Sequence, residues 1–253
     1  MRRTNWSAYL DDFHRKHPAI TERALHHARH PRLGTAYEWL AAASPGDAGD
    51  VVDLACGSCP VQQHMRYRSY VGIDRSEAEL HAAHTTGRGP VVLGDVTDTP
   101  VAPGSADTVV MSMALMLVPL APTLAEVRRI LRPGGRFVAI VPAMQPLLLR
   151  DLLTAGLLSA LLDGPGSMPH HLHASPLRHA LTRAGLRPVR ATRARFPFPM
   201  NTPADAHLAV ESLYTPGRSS AQLRRASSVL QRLPAGLDLP VPLLRVTAVR
   251  AAA

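Results

Sequence analysis

The chain reads as α/β, with a mostly parallel sheet and helices on both faces. Three observations predict this. Short apolar strands recur, each followed by a turn of small residues or an acid: Val51-Val52-Asp53-Leu54, Tyr70-Val71-Gly72-Ile73-Asp74 and Val91-Val92-Leu93-Gly94-Asp95. Near-continuous apolar runs of this length suit parallel strands buried on both faces. Stretches with helical spacing fall between the strands, as crossover connections between parallel strands require. The chain has 253 residues and is 46% hydrophobic, enough for one large α/β domain with additions.

The first strand runs into Ala55-Cys56-Gly57-Ser58-Cys59-Pro60. Ala55, Gly57 and Ser58 carry little or no side chain, so a ligand can approach their backbone closely. Pro60 suits the first turn of a following helix. Asp74 falls about 20 residues after this turn, where an acid in a nucleotide-binding α/β unit accepts hydrogen bonds from ribose hydroxyls. Asp53, Asp74 and Asp95 at three strand ends would share one sheet edge, where open α/β folds bind ligands. The plainer reading is that these acids cap helices and turns.

In these residues the chain resembles the class I S-adenosylmethionine-dependent methyltransferases. Their first motif, an acid followed by small residues, is matched by Asp53-Leu54-Ala55-Cys56-Gly57. The resemblance implies a Rossmann-like seven-stranded sheet and S-adenosylmethionine as cofactor. It implies that Asp53, Ala55, Cys56 and Gly57 hold the methionine end, Asp74 and Arg75 the ribose, and Asp95 and Val96 the adenine. Met113, at the exit of the fourth strand, would touch cofactor or acceptor. Ala55 stands where the family has a first glycine, and Cys59 where a further glycine is common.

Upstream, Tyr9–His14, Ile20–Leu25 and Gly34–Ala43 read as short helices, with Thr21 capping the second. Residues 1–48 would form a helical cap on a core of 49–253. In this cap Trp6, Tyr9 and Phe13 either line a pocket or staple the cap to the core. Ser44–Gly49 is turn-rich. Ser76 and Glu79 read as a capping box on a helix to His84, and Thr85–Pro90 as a loop.

Asp107–Leu115 is the fourth strand and its exit. A helix follows with Leu124, Val127, Ile130 and Leu131 as its apolar stripe, stopped by Pro133-Gly134-Gly135. Phe137–Val141 is the fifth strand. This helix, turn and strand closely resemble the same region of the family. Pro146–Leu162 and Ala174–Ala184 read as helices, the first ended by Gly164-Pro165-Gly166. Val189–Phe198 reads as a strand, Ala221–Leu233 as a helix and Leu243–Ala251 as a last strand, antiparallel by the resemblance. Pro197, Pro199, Pro203 and Pro216 break up the stretch between. Substrate-side insertions would occupy about 146–175 and 199–240.

The formal charge is +9 and the pI near 10.6. That invites a nucleic-acid partner, with the Arg-rich stretch Arg178–Arg195 as its contact. Against it, the basic residues are spread along the chain, and the Asn/Asp-Pro-Pro-aromatic signature of many base methylators is missing. A small-molecule substrate is the first expectation, and an RNA-directed methyltransferase the alternative. Cys56-Gly57-Ser58-Cys59 also has the C-x-x-C spacing of thiol–disulfide oxidoreductases. A third alternative keeps fold and cofactor for non-methyl chemistry.

Among the 13 histidines, His170, His171 and His173 follow the fifth strand, where one could serve as a base. Neither they, nor His26 with His30, nor Asp11-Asp12 near His14 and His17, has a convincing set of metal-ligand partners, so no metal is expected. A solvated surface accounts for each cluster. With no signal-like apolar start and no span of about 20 apolar residues, a cytoplasmic enzyme is expected.

Overall fold

The computed structural model describes residues 4–251 except 146, 165–167, 171 and 235. Its elements are, in chain order, helices α1 (Trp6–Lys16), α2 (Ile20–His27) and α3 (Ala36–Ala41), strand β1 (Asp50–Leu54), β2 (Ser69–Asp74), helix α4 (Glu77–Thr85), β3 (Val91–Leu93), β4 (Ala106–Ser112), α5 (Leu120–Ile130) and β5 (Leu131–Pro142). There follow α6 (Asp151–Leu161), α7 (Ala174–Arg183), β6 (Leu186–Pro199), α8 (Pro203–Glu211), α9 (Ser220–Leu230) and β7 (Asp238–Arg250).

The strands form one seven-stranded sheet in the order β3-β2-β1-β4-β5-β7-β6. The first five pair in parallel, and β7 runs antiparallel to both β5 and β6. The strand order reverses between β1 and β4, which makes their C-terminal ends the switch point of the sheet.

Alternation along the strands builds two cores. Val51 and Val110 belong to one, with Tyr37, Leu40, Phe196 and residues of α8 and α9. Val52, Leu54, Val109 and Met111 belong to the other, with Leu124, Val127 and Ile130 of α5 and Leu177 and Leu181 of α7. A strand whose two faces are both buried has no polar side to show, which is why β1 and β4 read as unbroken apolar runs.

Several expectations are corrected. The helix expected after Pro60 is only a 3-10 turn, Gln62–His64. Gln62 instead sends its side chain to Gly89 O at 2.7 Å and accepts from Gly89 N at 2.9 Å, tying this segment to the β3 approach. Thr21 does not cap α2, whose N-cap is Ala19 with φ 56°. Ser76 does cap α4, but Glu79 does not close the box; its carboxylate goes to His14 and Ala19. The third strand ends at Leu93, before Asp95. The proline-rich stretch holds α8, begun by Thr202 and Asp205 in a capping box with Pro203 in the first turn. The apolar helix begins at Asp151 rather than near 146; Pro146, Pro165 and Gly166 lie outside the described residues.

Among the described residues no helix is long and apolar enough to cross a membrane.

Candidate active site

A cleft of about 450 Å³ opens at the switch point. Its floor comes from the β1 exit (Ala55, Cys56), the β2 exit (Asp74, Arg75) and the β4 exit (Ser112, Met113). Leu10 and His14 of α1 and Glu22 of α2 close it from the N-terminal side, and Leu117 and Val118 supply an apolar wall.

The loop after β1 is bent inward on itself. Ala55 (φ 52°), Gly57 (φ 53°) and Cys59 (φ 55°) all take left-handed backbone, and so does Met113 (φ 55°). For a residue with a Cβ this conformation costs about 1–2 kcal/mol. Ala55 therefore spends more than one methyl group of bulk where a glycine would be at ease. Strained residues gathered on one cleft mark a site that the surroundings hold in place.

Gly72 makes the bend possible. A Cβ there would lie 2.7 Å from Cys59 Sγ and 2.8 Å from Cys56 Sγ. The missing side chain gives both thiols their room, so Cys59 turns into the core, fully buried, and does not line the cleft. The hydrogen bond between the thiols, then burial, pushes Cys56 well above the usual thiol range. Reactive cysteines need the opposite shift, and the 3-10 turn offers no long helix N-terminus to supply it. The pair is free and buried, an arrangement that gives the oxidoreductase alternative no support.

Asp74 sits 9% exposed at the end of β2. One carboxylate oxygen accepts from Gly57 N at 2.8 Å and the other from Ser76 N at 2.9 Å. Burial raises its pKa, opposed by those two N–H groups. A carboxylate has about four lone-pair sites, so two acceptors remain for hydroxyl donors. Asp53 lies one layer below. It is buried and accepts from Tyr70 Oη at 2.7 Å, while its other oxygen has no partner. Burial pushes it up to about 7, against the lowering by the Tyr70 hydroxyl.

Of the nine residues expected to bind cofactor, Ala55, Cys56, Asp74, Arg75 and Met113 line the cleft. Asp53 and Gly57 stand behind it. Val96 is buried outside the lining, and Asp95 is exposed with Oδ1 accepting from Thr97 N and Oγ1. Arg75 pairs with Asp11 of α1 at 3.0 Å. Trp6, Tyr9 and Phe13 do not line the cleft. Phe13 packs edge-on against Tyr214, ring centres 4.9 Å apart, stapling α1 to the loop between α8 and α9. His170 and His173 are exposed and outside the cleft, and His171 lies outside the described residues. Among the described residues no group of three or more His, Cys, Asp or Glu could hold a metal ion.

Sequence patterns did not point to the cleft residues Ser112 and Tyr214, nor to the apolar wall of Leu117 and Val118. They also placed His14 and Glu79 elsewhere, in a surface cluster and in a helix cap. Ser112 Oγ is buried without a partner.

Residues 52–139 match the methyltransferase domain family. Residues 52–139 thus carry a methyltransferase domain, set in the Rossmann-like seven-stranded sheet described above. No curated relative matches it. Its fold is similar to that of a Haloferax volcanii protein solved in complex with the methyltransferase activator Trm112 (TM-score 0.61, 18% identity, 96% of this chain and 98% of that one). It is similar to geranyl diphosphate C-methyltransferase from Streptomyces coelicolor A3(2), solved with Mg2+, geranyl diphosphate and S-adenosylhomocysteine (TM-score 0.51, 17% identity, 85% and 79%). It is also similar to the [4+2]-cyclase SpnF (TM-score 0.61, 16% identity, 98% and 93%). At such identities the likeness speaks to the fold alone, and the fold serves more than one chemistry. A methyltransferase domain implies S-adenosylmethionine as cofactor, and the cleft suits it: a buried acid with free acceptor sites, an orphan hydroxyl and an apolar wall.

Proposed function

We propose that the chain transfers a methyl group to a small organic molecule by in-line displacement. The observation that carries this reading is the roofed cleft with Asp74 in its floor. Residues of α1 and α2 line one side of it. The Arg-rich stretch Arg178–Arg195 belongs to α7 and β6, and β6 is the edge strand, three places from β4 in the sheet order. None of its residues lines the cleft, so the RNA-directed alternative has no support at the site.

In this reading Asp74 accepts from the ribose hydroxyls, with Arg75 beside it. The Ala55-Cys56-Gly57 backbone holds the amino-acid end, and Met113 borders the reacting centre. Asp53 stands beneath them and ties β1 to β2 through Tyr70. The bound cofactor supplies a methyl group on a sulfonium, already poised to leave. The protein then has mainly to align the acceptor, a contribution worth up to roughly 7–11 kcal/mol.

Calorimetry with S-adenosylhomocysteine tests this. Binding in the micromolar range is expected. Asp74→Ala should weaken it at least tenfold, about 1.4 kcal/mol. Asp95→Ala should change it less than about threefold, since one of that side chain's oxygens is already spent on Thr97. Unchanged affinity in the Asp74 variant would remove the ribose role.

A further inference from the structure

His14, Glu79 and Tyr214 come from α1, α4 and the loop between α8 and α9, and all three line the cleft. Glu79 is 4% exposed. Its Oε2 accepts from Ala19 N at 3.0 Å, and its Oε1 lies 2.8 Å from His14 Nδ1. The other ring nitrogen, His14 Nε2, lies 3.2 Å from Tyr214 Oη.

An ionised carboxylate only accepts. In the neutral ring the proton between Glu79 and His14 then sits on Nδ1, which leaves the lone pair on Nε2. Tyr214 is held in its protonated form by burial, so its hydroxyl donates to Nε2. The outcome is an acid-oriented imidazole with a basic nitrogen aimed at a hydroxyl on the cleft wall. Such a chain of orienting acid, base and contact group is the arrangement that proton abstraction needs.

We propose that Tyr214 and His14 form the proton relay for the methyl acceptor, with Glu79 as positioning residue. The acceptor is accordingly a hydroxyl or an amine, which must lose a proton on methylation. This rests on the methyl-transfer reading above. As the acceptor's oxygen or nitrogen forms its bond to the methyl carbon, the carbon–sulfur bond breaks and sulfur keeps the electron pair. Tyr214 gives its proton to His14 Nε2 and takes the acceptor's. The imidazolium is balanced by the Glu79 carboxylate. Asp11, Arg15, Glu22, Asp74, Arg75 and Glu77 line the same cleft and surround the relay with charge.

Para-nitrophenol is the probe, because its phenolate absorbs in the visible. It is added to protein saturated with S-adenosylhomocysteine, at a pH about one unit below the probe's own pKa. The wild type should show at least a threefold rise in phenolate absorbance. The nitrogen-15 shifts of His14 should move from the Nδ1–H tautomer to the imidazolium. His14→Gln should abolish the rise. So should Tyr214→Phe, which keeps the ring that packs on Phe13. Both should hold S-adenosylhomocysteine within about threefold of wild type. Glu79→Gln should lower the signal and change the His14 tautomer.

A wild type that binds S-adenosylhomocysteine yet ionises no probe would overturn the relay alone. So would His14→Gln ionising it as well as wild type, or losing tenfold in S-adenosylhomocysteine affinity, which would make His14 a cofactor contact. A wild type that binds no S-adenosylhomocysteine would overturn the methyl-transfer reading, and the relay with it.

Discussion

Strand β1 carries one acid at each end, and the two are treated in opposite ways. Asp50, at the N-terminal end, accepts from Arg68 Nε at 2.9 Å, Ser69 Oγ at 2.7 Å and Arg132 Nη2 at 2.9 Å. Those bonds, Arg68 first, hold it well below the usual carboxylate range. Asp107 of β4 joins it through Arg132 at 2.6 Å. Asp53, three residues on, has no cation, one hydroxyl donor and one orphan oxygen. Its neighbour Asp74 is likewise buried without an arginine, since Arg75 turns to Asp11. One end uses its acids as fasteners. The other keeps them desolvated, where they cost stability, and Asp74 among them lines the cleft. Desolvated acids gathered in a cleft mark a site.

The largest expected effect tests that cost. Asp53 has a folded pKa of about 7, against about 3.9 in an unfolded chain. Between those values the native state binds more protons than the unfolded state, so stability falls as pH rises. The penalty is absent below about pH 4 and complete above about pH 7. A shift of about three units corresponds to roughly 4 kcal/mol. Urea melts of the wild type across this window should show the decline, and Asp53→Asn should flatten most of it. Parallel curves for the two proteins would mean that Asp53 is not the desolvated acid described here.

The second effect concerns the loop that covers Asp53. Gly72 pairs in register with Asp53 across β1 and β2. Gly72→Ala should destabilise by about 1–3 kcal/mol, because its Cβ meets two sulfurs that cannot both retreat. Adding Cys59→Ala should recover part of the loss, the sign of direct coupling. If the two changes simply add, the thiols are not what fills the space. A smaller gain is expected from Ala55→Gly. Relief of its left-handed backbone outweighs the flexibility that glycine brings by roughly 0.5 kcal/mol, read as a raised Tm.

The two ends also differ in how far sequence reveals them. The strands and α5 were legible because burial on both faces leaves an apolar run and a helix leaves a stripe. Ala55, Cys56, Asp74, Arg75 and Met113 were legible as cleft residues because each sits at or just past a strand end. Helix α8 was not, because four prolines read as breakers although Pro203 beside Thr202 and Asp205 is a helix start. The helix after Pro60 was expected from one proline, while Gln62 found better partners in Gly89. His14, Glu79 and Tyr214 were beyond reach as a group. Their contacts span 65 and 200 positions, and Glu79 even looked committed to a local cap. Local patterns report what the backbone nearby requires, and a triad assembled by tertiary packing leaves no such trace.

The smallest expected effect lies at the fastener end. Asp50 is depressed, so its contribution is present above the unfolded carboxylate pKa and is lost as pH falls through its folded value. This is the reverse of Asp53 on the same strand. Arg68 is well exposed, and exposed pairs are screened by salt and contribute little. Asp50→Asn should therefore give the smallest Tm change of the series at neutral pH. That change should shrink further between about 0.05 M and 1 M salt, where the screening length falls to roughly 3 Å. The slope contributed by Asp53 should persist at high salt, because desolvation and not a screened charge pair is its cause. If salt removed both effects equally, the contrast between the two ends of β1 would reduce to surface electrostatics.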